Sequence, residues 1–172
     1  MKHINTQSLT MMALLTAFCV VGRLLMVFIP NVQPITATLI LVTLYMGRLE
    51  AIVISSLSIL ITNFYLGMGV WTIAQIVSFW CVIYLVVLLD KWTNVKNNKV
   101  LQLILCLISG LGYGFLISVM LAPIFGVTNF WAYYVTGMSF DIMHAFGTMF
   151  FYILLKSPFI YLMNKEMKKR GS

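Results

Sequence analysis

Long apolar runs, broken by short polar or proline-containing stretches, set the pattern of this chain. The first run, 8–29, is long enough to cross a bilayer, whose ~30 Å hydrocarbon core takes roughly 20 helical residues. Pro30-Asn31-Val32-Gln33-Pro34 ends it, because two prolines remove backbone donors and push the residues before them out of the α region. The next run, 35–46, is short for a crossing and must be tilted, extended by loop residues or shielded by neighbouring helices. A charged turn, Gly47-Arg48-Leu49-Glu50, leads into a third run at 51–64. Residues 65–71 separate it from a fourth, 72–89, which closes at Asp90-Lys91 with Trp92 as an interfacial anchor. A polar segment at 93–99 precedes the fifth run, 100–122, and an aromatic stretch at 123–137 precedes the sixth, 139–155. Lys156 and Pro158 predict a bend there, with 156–172 as a basic interfacial tail.

The pattern predicts a single transmembrane domain, 1–172: an all-α integral membrane protein with six transmembrane helices. Charge adds orientation. The stretches 30–34, 65–71 and 123–137 contain no Lys or Arg, while the N-terminus, the other connections and the tail hold nearly all of them. Positive charge marks the cytoplasmic side, so both termini are expected inside and the three uncharged loops outside. Composition agrees, with 62% hydrophobic and 9% charged residues and a mean hydropathy of +1.01, far from soluble domains. A net charge of +7 would suit nucleic acid, but these basic groups sit at membrane borders and form no soluble basic face. Cys19, Cys81 and Cys106 stand apart in apolar runs without metal-site spacing and read as packing residues. Lys2 before an apolar run resembles a signal peptide, yet no small-residue cleavage site follows, so the first span is expected to be retained. No repeat at a fixed period is present.

Candidate chemistry gathers near the outer side. Arg23 lies in the outer third of the first span, where a charge is costly unless it snorkels, pairs or meets a ligand. Asp141 and His144, three residues apart, share one face of the sixth span at comparable depth. They could meet Arg23, or Asp141 could simply complement a helix dipole and His144 pack in the core. Asn31 and Gln33 sit between prolines, and Trp71, Gln75, Trp80, Trp131, Tyr133 and Tyr134 supply rings and an amide. Each ring alone suits an aromatic belt at the lipid interface as well, but rings, amides and buried charges at one depth favour an outward-facing small-molecule pocket. Small residues form stripes that let helices approach closely: Ala13 and Ala17 on the first span, and Gly110, Gly114, Ser118 and Ala122 on the fifth. No catalytic or metal-binding motif emerges, and Glu50, Asp90 and Glu166 lie at the cytoplasmic border.

With six spans, internal termini, the Ala13-Leu-Leu-Thr-Ala17 pattern and an outer pocket capped by loops, the whole chain resembles the substrate-binding S components of energy-coupling factor (ECF) vitamin transporters. The resemblance implies a subunit that captures a vitamin outside and topples in the membrane to release it inside. It implies a transmembrane T component as partner, with Ala13 and Ala17 as the docking pair, and two cytoplasmic ATPases that use ATP. Asn31 to Gln33 would belong to the gating loop. The Pro30 to Pro34 loop and its flanking spans look like members assigned to cobalamin. Pantothenate would give Arg23 a carboxylate, riboflavin would suit the rings, and a queuosine-type precursor remains a third alternative. Two other classes compete: a structural or assembly subunit, and an intramembrane enzyme using Asp141 and His144.

Overall fold

The computed structural model describes residues 6–170, with side chains through Lys165. Lys2 and the side chains of Glu166 to Arg170, which entered the charge reading, lie outside the described residues. Six α-helices follow one another: α1 (Thr6–Leu25), α2 (Ile35–Tyr45), α3 (Arg48–Leu66), α4 (Val70–Trp92), α5 (Lys99–Ile124) and α6 (Phe130–Arg170). A short 3-10 turn, Val95–Asn97, lies between α4 and α5. Five of the helices are long and apolar enough to cross a membrane, and no strand occurs among the described residues. The chain is thus a helical, multi-pass membrane protein. Alternating helix direction gathers the connections at 26–34, 67–69 and 125–129 at one end, called here the loop end. Arg48, Lys91, Lys96, Lys99 and Lys156 lie toward the other, the basic end.

Helix α2 organises the bundle. It rises only about 16 Å, half of the hydrocarbon thickness, and it packs against all five other helices. Every residue from Ile35 to Leu44 is buried, which explains a run that is apolar on all sides. Of the three ways in which a short run can sit in a membrane, shielding by neighbours is the one realised. Its three threonines need no outside partners. Thr38 Oγ1 donates to Pro34 O at 2.9 Å and Thr43 Oγ1 to Leu39 O at 2.7 Å, while Thr36 bonds across to α6. A turn of Met46 and Gly47 reverses the chain into α3, and Gly47 supplies it with φ +142°, which L side chains rarely adopt.

Because α3 is a 19-residue helix running beside the 11-residue α2, the chain between α1 and α2 must descend into the bundle to reach Ile35. It starts early: α1 stops at Leu25, not at 29 as expected, and Met26 to Phe28 form turns. Two further expectations are corrected. The long aromatic loop expected at 123–137 shrinks to 125–129. Pro123 lies inside the last turn of α5 and forgoes only the bond its N–H would have made to Val119 O, and α6 already starts at Phe130. Asn129 starts it by accepting a hydrogen bond from Ala132 N at 3.1 Å. The sixth helix also does not end at 155, since α6 continues through Lys156 and Pro158.

Candidate functional site

The descending segment 26–34 is irregular backbone among apolar helices, where each unpaired polar group costs several kcal/mol. Its sequence limits that cost. Pro30 and Pro34 have no N–H to satisfy, and Ile29 N and Val32 N donate to Met26 O and Ile29 O at 3.0 and 3.3 Å. Asn31 adopts the left-handed conformation, φ +57°, which asparagine tolerates better than most residues. That twist brings the Asn31 carbonyl to His144 Nδ1 at 2.8 Å. A carbonyl can only accept, so Nδ1 carries the proton and Nε2 is left to accept from Thr36 Oγ1 at 2.9 Å. Both ring nitrogens are therefore engaged within the protein, and His144 ties loop, α2 and α6 together. Tyr113 of α5 stacks on the imidazole with centroids 4.9 Å apart, and Phe79 of α4 packs on Tyr113 at 4.3 Å. Small residues admit the loop: Gly22 lies under the Pro34 ring, and a Cβ on Gly147 would stand 3.2 Å from Val32.

Above this joint a cleft of about 260 Å³ opens between the loop and the end of α3. Arg23, Asn31, Gln33 and Leu66 help to line it. Three of the residues expected to bind substrate thus share one site. Arg23 does not pair with Asp141. Its Nη1 donates to Thr62 Oγ1 of α3 at 2.8 Å, and the Thr62 hydroxyl donates in turn to Ser58 O at 2.7 Å. The guanidinium keeps further donors, since it carries five N–H groups.

The remaining expected residues divide into separate groups. Gln75 belongs to a buried cluster with Asn63, whose Nδ2 donates to Gln75 Oε1 at 2.8 Å and to Thr72 Oγ1 at 2.9 Å. Asn63 follows Thr62 on α3, so this cluster adjoins the partner of Arg23. Trp131 and Tyr134 join Phe115 and Phe130 in an aromatic patch at the start of α6, and Tyr133 is half-buried beside it. Trp71 is exposed and caps its own turn through Nε1 to Gly67 O. Trp80 lies ten residues into α4, and its Nε1 bonds Ser56 of α3 at 3.1 Å, well away from the loops. Asp141 is buried on α6, packed so closely on Gly114 of α5 that no larger residue would fit there. Its Oδ2 has no hydrogen-bond partner among the described residues. Ala145 packs likewise on Gly110, so this part of the α5 stripe is a helix–helix contact. Ala13 and Ala17 are exposed on α1.

Sequence reasoning missed Thr36, Thr62, Asn63 and Thr72. The available signal was Asn63, a strongly polar side chain inside an apolar run; the threonines carry no such signal, because a helical threonine can always bond its own backbone. Among the described residues no group of three or more His, Cys, Asp or Glu side chains gathers. Compared with protein-family models, with curated protein sequences and with solved structures, the chain finds no match.

Proposed function

We propose that this chain is the substrate-capture subunit of an importer of the ECF type, in the plasma membrane of a prokaryote, with both termini cytoplasmic and the loop end outside. It binds a vitamin and leaves ATP hydrolysis to two ATPase partners held by a T component. The observation that carries this reading is the cleft at the loop end. A fixed cation, Arg23, stands in it beside a loop that is firmly anchored at its base by His144 and open at its top. That arrangement suits a ligand site, with one oriented charge and a wall that mixes polar groups with apolar side chains. Ala13 and Ala17, small and exposed, offer a face for close approach of another helix.

Cleft size bears on the cargo. The resemblance in the loop 30–34 points to cobalamin, but about 260 Å³ is below the usual 300–1,000 Å³ of ligand pockets. Pantothenate or riboflavin needs a modest opening. Cobalamin, a far larger corrinoid, requires the loops at 67–69 and 125–129 to part so that it rests across the whole loop end. Calorimetry on the purified, folded protein with cobalamin, pantothenate and riboflavin tests both points. One tight binder, weakened by Arg23→Ala without loss of protein yield, supports the proposal and names the cargo. Silence across the panel overturns the vitamin assignment. Ala17→Trp should leave that binding intact while blocking assembly with the T component, because a bulky ring holds the two helices apart.

A further inference from the structure

A second and larger cavity, about 630 Å³, lies at the opposite end of the bundle between α5 and α6. Its rim carries Lys99 and Lys156, one from each helix, with Ser157 beside them, and Leu103, Ile153 and Ile160 form its apolar wall. Ile153 is 65% exposed, so the groove reaches the face that meets lipid. Lys156 is held in place, not free to swing away: its Nζ donates to Gln102 Oε1 at 2.6 Å, and Gln102 Nε2 is in turn fixed on Val95 O and Lys96 O, both at 2.8 Å. Gln102 is only 2% exposed. Tyr152, which also lines the cavity, is 1% exposed and its hydroxyl has no hydrogen-bond partner among the described residues.

Charge pairing at this end is incomplete. Asp90 is taken by Lys96 at 3.2 Å, and among the described residues neither Lys99 nor Lys156 forms an ion pair. Two ammonium groups that border one cavity favour an anion between them. The apolar groove continuing from that point adds a place for a hydrocarbon chain. We propose that this cavity binds a phosphate-bearing amphiphile, its anionic head between Lys99 and Lys156 and its chain along Leu103, Ile153 and Ile160. Basic pockets between membrane helices near the headgroup level have this chemistry in general. The site is separate from the loop-end cleft, and its occupancy does not depend on the transport reading.

The test uses the full chain, purified in detergent, with native mass spectrometry and thermal shift against dioleoyl-phosphatidylglycerol, dioleoyl-phosphatidylcholine and inorganic phosphate. The unaltered protein should retain phosphatidylglycerol over phosphatidylcholine. Loss of one lysine at ~1 kcal/mol per contact lowers affinity about fivefold, and loss of both roughly 25-fold. Lys99→Gln and the double change with Lys156→Gln should show these losses, while Lys91→Gln with Lys165→Gln, equal in charge removed, should not. Among the described residues Lys99 makes no side-chain bond that the first variant could disrupt, so it decides the case if Lys156→Gln destabilises the fold. Protection by inorganic phosphate that is lost in the double variant would support the anion site and identify a soluble phosphate as occupant. Equal retention of the two lipids without phosphate protection, or equal loss in the control variant, would overturn the proposal.

Discussion

Helices α1 and α2 look alike as strings of apolar residues, yet they occupy opposite situations. Helix α2 is buried along its length, whereas in α1 only Met12, Thr16 and Cys19 are buried and most other side chains are at least partly exposed. In water such a difference would be written as amphipathicity, since an exposed face must be polar. In lipid the exposed face is apolar too, and hydropathy loses its power to tell core from surface. What separates the two helices is length, and what happens to the backbone where the short one ends. A post 16 Å high obliges its neighbours to lend it a descending loop, and that loop obliges α6 to supply a histidine. Helix α1, reaching across without such help, keeps most of its surface at least partly exposed.

The contrast is broken most severely by overpacking. Ala37 of α2 is 0% exposed and Ala17 of α1 is exposed. Ala37→Trp has no space to expand into and should cost more than 3 kcal/mol, beyond the usual 1–3 kcal/mol of smaller insertions. No monodisperse protein should survive solubilisation. Ala17→Trp should elute and melt like the parent. Size-exclusion profiles of the two variants, side by side, check this; a well-folded Ala37→Trp protein would mean that α2 is not the enclosed post described.

Next comes the tie between loop and bundle. His144→Ala leaves the Asn31 carbonyl and the Thr36 hydroxyl without partners and opens a void under Tyr113. An unsatisfied buried group costs ~1–3 kcal/mol, so a loss of about 2–4 kcal/mol is expected, together with faster hydrogen exchange across 26–34 than across α1. Uniform exchange in the variant would show that the loop is held by something other than this histidine. Arg23→Ala, by contrast, removes a single bond to Thr62 near the cleft. It should cost about 1.5–3 kcal/mol, the range for a hydrogen bond to a charged group, with a further effect on ligand capture.

The sequence was legible where chemistry in lipid is intolerant. Helix number and order followed from apolar runs and charged turns, and the grouping of Arg23, Asn31 and Gln33 followed from their shared depth. Where lipid is tolerant, reading failed. The aromatic residues at 130–138 suit both interface and helix, so the run alone predicts a start at 139; the cue to the true start is the Asn129 cap. Pro158 suggests an end to the sixth span near 155, although a proline inside a long helix removes one hydrogen bond and need not stop the helix. Sequence suggests comparable depth for Asp141 and Arg23 but carries no azimuth, and the two point to different neighbours, Gly114 and Thr62.

The smallest effect sharpens the comparison most finely, because it isolates backbone from side chain at the foot of the loop. The Asn31 side chain is exposed, so its value to the fold lies in tolerating φ +57°. Glycine adopts that conformation freely, and alanine pays roughly 1–2 kcal/mol for it. Asn31→Gly should therefore melt within a degree or two of the parent, while Asn31→Ala melts a few degrees lower. On α1 the matched change, Thr10→Ala, deletes an exposed bond to Thr6 O at 2.9 Å, and should shift melting by less than either because water or the headgroups replace it. If alanine and glycine at 31 behave alike in the melting curves, the left-handed turn is not what delivers the carbonyl to His144, and the loop must reach the bundle by another backbone path.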